Sequence, residues 1–116
     1  MKEGDVVLTP IPQADGRIKS RPVIILRELP FYRDFLVCGV STQLKHYVKG
    51  FDGIISPSDP DFNMSGLLTE SVIRLGFLAV LPCKTIVGAI GEISSQRHKH
   101  LLKTLSDYLV GKKVSK

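Results

Sequence analysis

The chain has 116 residues, a length that fits one domain with an adequate core. Apolar residues make up 43% and charged residues 23%, proportions that exclude an intrinsically disordered chain. The formal net charge is +5, read either as a solubility device or as a basic surface for a phosphate backbone or an acidic polypeptide. The charge is uneven. Lys/Arg against Asp/Glu run eight to five over residues 1–50, two to five over 51–93 and six to one over 94–116.

Cys38 and Cys83 are the two cysteines, and neither lies in a CxxC or Cys/His spacing. That pattern points away from a zinc site and from a secreted disulfide scaffold, so both are read as structural. The start MKEGDVVLTP has no apolar h-region, and the longest aliphatic string, residues 23–26, is far too short to cross a bilayer. A soluble, cytoplasmic protein that does not engage a membrane is the expectation.

In chain order, Val6-Val7-Leu8 after Gly4-Asp5 reads as a first strand, ended by Pro10 and Pro12. Residues 11–20, with Asp15-Gly16, read as an exposed polar loop. Residues 22–27 form a strongly apolar second strand and 35–41 a third. One or two short strands are expected within 45–55, around Gly50 and Gly53, followed by a Ser/Pro/Asp loop over 56–61. Strands over 69–75, 77–81 and 86–93 complete the set.

From Ser94 the period becomes helical. Leu101, Leu102, Leu105, Tyr108 and Leu109 share one face, Ser94 or Ser95 offers an N-cap, and Gly111 stands at C′ with Lys112 and Lys113 beside it. The expected architecture is a single domain over 1–116. It consists of an all-β barrel over 4–93 and a C-terminal helix over 94–110. The apolar helix face is ordinary core material.

The sequence contains no GxSxG, Walker loop, GxGxxG or HExxH. His98 and His100, two apart on a helix, point to different sides and are read as solvated. His46 follows a strand and is weak evidence alone. The remaining candidates are polar residues at strand ends: Arg21 before the second strand, Ser41-Thr42-Gln43 at the end of the third, and Arg74 within the alternating strand 69–75. Taken singly, each is an ordinary surface residue.

Taken together they resemble a known family. Gly4-Asp5-Val6-Val7-Leu8, a loop, and Ser20-Arg21-Pro22-Val23-Ile24-Ile25 resemble the entry motif of MazF/PemK-like toxins. Val40-Ser41-Thr42-Gln43 resembles that family's strand-end segment, residues 67–74 its later strand, and residues 86–109 its closing strand and helix with the Gly91-Glu92-Ile93 step. The resemblance spans nearly the whole chain.

It implies an SH3-like barrel with a C-terminal helix, working as a homodimer. It also implies the toxin of a type II toxin–antitoxin pair. Such a toxin is a sequence-selective endoribonuclease that cuts single-stranded RNA without a metal or other cofactor, leaving a cyclic phosphate and a 5′-hydroxyl. A cognate acidic antitoxin would lie along the RNA groove, and the toxin–antitoxin complex would bind DNA.

Residue by residue, the resemblance makes Arg21, Ser41 and Arg74 the catalytic candidates. Lys19, Ser20, Thr42, Gln43 and Asp15 are the substrate-binding candidates, and there is no metal ligand. Gly76 departs from the PemK branch, which carries an aspartate there.

RNA carries its own nucleophile, the 2′-hydroxyl. A nuclease must align it with phosphorus, remove its proton and stabilise the charge on the phosphoryl oxygens. An arginine fork suits the last task. Arg21 and Arg74 are expected to converge on one phosphate, with Ser41 or Thr42 positioning an oxygen. Asp15, Glu70 and His46 are fallback bases, and the loop 10–20 is expected to cover the groove.

Three other readings are weighed. A non-catalytic RNA- or protein-binding barrel is favoured slightly by Gly76. A gyrase poison resembling CcdB ranks low, since that family has an essential tryptophan and this chain has none. A structural adaptor ranks last.

Overall fold

A computed structural model describes residues 1–12 and 14–114. Six strands form one sheet: β1 (Asp5–Pro12), β2 (Ile18–Glu28), β3 (Asp34–Ser41), β4 (Gly53–Ile55), β5 (Ser71–Pro82) and β6 (Gly88–Glu92). Their spatial order is β4-β5-β3-β2-β1-β6, and every pairing is antiparallel. A one-turn helix α1 (Phe62–Ser65) precedes β5, and helix α2 (Ser95–Leu109) closes the fold. The sheet curls into a half-barrel with β4 and β6 as its edges.

The curl follows from burial on both faces. Val6, Ile24, Leu26, Cys38, Ile73 and Leu75 pack with Leu101 and Leu105 of α2. Val7, Val23, Ile25, Phe35, Val37 and Ile86 form a second cluster. Consecutive residues of β2 belong to opposite clusters, which is why residues 23–26 are uninterruptedly apolar. Burial also pushes the Cys38 thiol up to about 12, with the Asp52 carboxylate adding to the shift, so this cysteine is an inert core group.

The register breaks at Val6/Val7, Ile25/Arg27 and Cys38/Gly39, where bulges bend the strands. The last break is the largest. Cys38 pairs with Leu78, but Gly39 pairs with Arg74, so Leu75, Gly76 and Phe77 have no partner on β3. The two strands expected over 69–75 and 77–81 are therefore one twelve-residue strand with a bulge in its middle. Asp52 holds the bulge: its carboxylate accepts the Leu75 N–H (3.0 Å) and the Val48 N–H (2.9 Å).

The expected loop over 11–20 is mostly strand. The ladder continues through Pro10↔Ser20 to Pro12↔Ile18. Strand β1 pairs with β6 only over Asp5–Leu8, so beyond Leu8 it is a sheet edge, where a proline lacking its N–H is tolerated. Between Gln43 and Ile55 the chain forms a 3₁₀ turn (Leu44–His46) and the three-residue β4.

The helix behaves largely as its pattern predicts. Ser94 is the N-cap, its hydroxyl accepting the Arg97 N–H (3.1 Å), and Gly111 takes a positive φ of 102°. Leu101 and Leu105 are buried, but Tyr108 and Leu109 are exposed. Tyr108 leans on Phe51 with ring centroids 5.1 Å apart. His98 is not solvated: its Nε2 donates to the Leu26 carbonyl (2.8 Å) and ties α2 to β2. His100 is exposed, as expected.

The loop before α1 is anchored to α2 by charge. Arg97 Nε donates to Asp61 Oδ2 (2.8 Å) and its NH2 to Asp61 Oδ1 (3.1 Å) and Asp59 Oδ2 (3.2 Å). Its NH1 donates to the Ile54 carbonyl (3.1 Å). Burial raises the Asp61 carboxyl, but the hydrogen bonds from Arg97 and the Ser94 N–H outweigh it and hold the group below its ordinary value.

Candidate functional site

A cleft of about 560 Å³ lies at the predicted residues. Strands β2, β3 and β5, which are neighbours in the sheet, supply much of its lining: Arg21 and Pro22, Gly39 to Ser41, and Ser71, Arg74 and Phe77. Register connects them. Val23, two residues beyond Arg21, pairs with Gly39, and Gly39 pairs with Arg74 on the far side. The two arginines thus stand on the two neighbours of β3. Two strand spacings, about 10 Å, separate their backbones laterally.

Thr42 and Gln43 continue the lining past the end of β3. The Gln43 N–H donates to Ser41 Oγ (3.0 Å), which fixes the hydroxyl oxygen and leaves its proton to donate. Gly66 to Thr69 form a further wall. That wall is held by two backbone approaches that only glycine allows. A Cβ on Gly66 would run into the Ile90 carbonyl, and one on Gly91 into the backbone of Met64 and Ser65.

The charge of the cleft is one-sided. Its lining contains Arg21 and Arg74 and no Asp, Glu or His among the described residues. Arg17, Arg27, Arg33 and Arg97 are engaged in ion pairs among the described residues, and Arg74 is not. Arg21 is exposed and Arg74 half-buried. Such a site attracts an anion and offers it planar donors.

The family model of the PemK-like, MazF-like toxins of type II toxin–antitoxin systems matches residues 2–109. The chain belongs to this toxin family. Among solved structures, an endoribonuclease in complex with its cognate antitoxin from a mycobacterial species superposes with a TM-score of 0.66. The match is at 16% identity and covers 97% of this chain and 98% of that one. At that identity the likeness concerns the fold. No curated protein matches the sequence significantly.

In this PemK/MazF-like chain, five of the eight predicted site residues line one cleft: Arg21, Ser41, Thr42, Gln43 and Arg74. Lys19, Ser20 and Asp15 do not line it. Lys19 and Ser20 are exposed on β2 opposite Ile11 and Pro10. Asp15 lies in the turn beyond, where it accepts the Arg17 N–H (2.9 Å). Of the first strand, Leu8 and Ile11 reach the cleft. The fallback bases Asp15, Glu70 and His46 are all outside the lining.

Gly76 lies in the bulge and does not line the cleft. The nearest atom to a Cβ placed there is Phe51 Cε2 (4.0 Å), and Phe51 borders a separate, smaller depression with Tyr108. A side chain at position 76 would therefore meet Phe51 first.

Sequence reasoning missed Phe77 and the 66–69 wall. Phe77 reads as a strand residue in an apolar run, and only the bulge brings it into the cleft. Gly66 and Gly91 carried the one available signal for the wall, as glycines flanking apolar segments. Among the described residues no three His, Cys, Asp or Glu side chains are grouped to hold a metal ion, and no helix is long and apolar enough to cross a membrane.

Proposed function

We propose that this protein is the toxin of a type II toxin–antitoxin pair and acts as a metal-independent endoribonuclease on single-stranded RNA. One observation carries the reading: Arg21 and Arg74 line one cleft with Ser41, Thr42 and Gln43, with no acid in its lining among the described residues. The two guanidinium groups clamp the scissile phosphate. Ser41 donates its hydroxyl proton to a phosphoryl oxygen, and Thr42 and Gln43 contact the flanking nucleotide. As the 2′-oxygen bonds to phosphorus, its proton passes to solvent water, the bond to the 5′-oxygen breaks and that oxygen takes a proton from water, giving a cyclic phosphate and a 5′-hydroxyl.

Fixed cationic donors stabilise the charge that grows on the phosphoryl oxygens, which is the main contribution a protein makes to such a reaction. Lys19 and Ser20, exposed beside Arg21, extend the phosphate track along β2. The same one-sided charge suits an acidic antitoxin segment lying across the cleft. The family resemblance further supports a homodimer.

The test is cleavage of a mixed-sequence single-stranded RNA in excess EDTA, with primer extension to map ends and end-group analysis for the cyclic phosphate. Discrete cuts that persist in EDTA are expected. RNA bound but left intact would favour a non-catalytic barrel of the same fold.

A further inference from the structure

We infer that Phe77 is a stacking platform for a nucleobase next to the scissile phosphate. The inference rests on the RNA-cleaving reading above and assigns the cleft a base subsite. Phe77 is the one aromatic residue in the lining among the described residues. Its side chain is seated on the Cα of Gly39: a Cβ there would lie 2.9 Å from Phe77 Cδ1 and 3.2 Å from Cγ. The residue is nonetheless 40% exposed.

A large apolar side chain supported by backbone on one side and open to the cleft on the other has no packing partner to explain the open side. The bulge sets it there. With Leu75, Gly76 and Phe77 out of register, Phe77 reaches back over Gly39, the residue directly cross-strand from Arg74. The aromatic surface therefore lies over β3, between the strands that carry Arg21 and Arg74.

A polynucleotide needs this juxtaposition: cations for the backbone and an aromatic surface for a base. Base–aromatic stacking accepts every base, because each has a π-face. The neighbouring Thr42 and Gln43 supply polar groups for a base edge. The other exposed aromatics are placed differently. Phe31 and Tyr32 meet edge to face at the β2–β3 turn, Tyr47 follows the 3₁₀ turn outside the cleft lining, and Tyr108 lies against Phe51.

The probe is a 2′-O-methyl oligoribonucleotide, which lacks the nucleophile, carrying 2-aminopurine at a position scanned along the strand. Full-length wild type is expected to bind it and quench the fluorescence at one position of the scan. Phe77→Leu keeps the apolar bulk on Gly39 and removes the π-face. It is expected to abolish the quench and weaken binding about 10-fold, whereas Phe77→Tyr retains both. With RNA substrate the loss should appear in KM more than in kcat.

Wild-type binding with an unchanged quench and affinity in Phe77→Leu would overturn the stacking role and leave the nuclease reading standing. A wild type that neither binds the probe nor cuts RNA would instead sink the nuclease reading, and this inference with it.

Discussion

Two arginines of this molecule illustrate how environment separates structure from function. Arg97 is met by two carboxylates and a carbonyl, and its partner Asp61 is itself buried. Arg74 lies in a cleft whose lining has no acid among the described residues. A half-buried cation without a carboxylate partner favours an anion from outside, whereas a fully paired one fastens the fold. Composition treats the two alike. The difference lies in what the chain brings to each.

The largest effect should come from breaking the paired site. Asp61→Ala leaves Arg97 with Asp59 and the Ile54 carbonyl and removes the acceptor for the Ser94 N–H. A loss of about 3 kcal/mol is expected in urea unfolding, the scale for breaking a buried pair. Arg74→Ala should leave the midpoint nearly unchanged. Equal destabilisation by the two substitutions would erase the contrast.

Next in size is catalysis. Arg21→Ala and Arg74→Ala should each slow RNA cleavage about 100-fold, the scale of removing one donor to transition-state charge. Wild-type rates in either would remove that residue from the mechanism. A smaller effect sharpens the same point. Log affinity for single-stranded RNA should fall with log salt, and Arg21→Ala should reduce that slope by about 0.7, one phosphate contact on a single strand. An unaltered slope would place Arg21 away from the backbone.

The paired site also predicts a pH dependence. The Asp61 carboxyl is held below its ordinary value in the folded chain, so the unfolded chain binds its proton more readily. The stability it contributes is present above the unfolded value, about 3.9. It is lost as pH falls through the lower folded value. Stability measured from pH 6 down to 2 should therefore fall less steeply for Asp61→Asn than for wild type. Parallel curves would mean that Asp61 carries no folded-state shift.

Much of the site was legible because short motifs carry it. The Ser41-Thr42-Gln43 segment marks the end of β3, whereas Arg21-Pro22, read as a strand start, lies inside β2. Arg74 was legible through the family resemblance of residues 67–74, since its place in an alternating strand marks only a surface residue. Helix α2 announced itself through its period and its Ser94 cap.

What stayed hidden depends on long-range registration. No local pattern says that β5 slips by three residues against β3, yet the slip turns Phe77 into the cleft and keeps Gly76 out of its lining. Asp61 and Arg97 lie 36 residues apart, beyond any spacing rule. The prolines of β1 looked like terminators because their position at a sheet edge is a property of the fold, not of the segment.

The most direct test is a double-mutant cycle on RNA cleavage in EDTA, comparing kcat/KM for wild type, Arg21→Ala, Arg74→Ala and the double variant. If both guanidinium groups grip one phosphate, the double variant should be far less impaired than the product of the single losses. Strictly multiplicative losses would mean that the two arginines act on separate groups, contradicting a shared clamp.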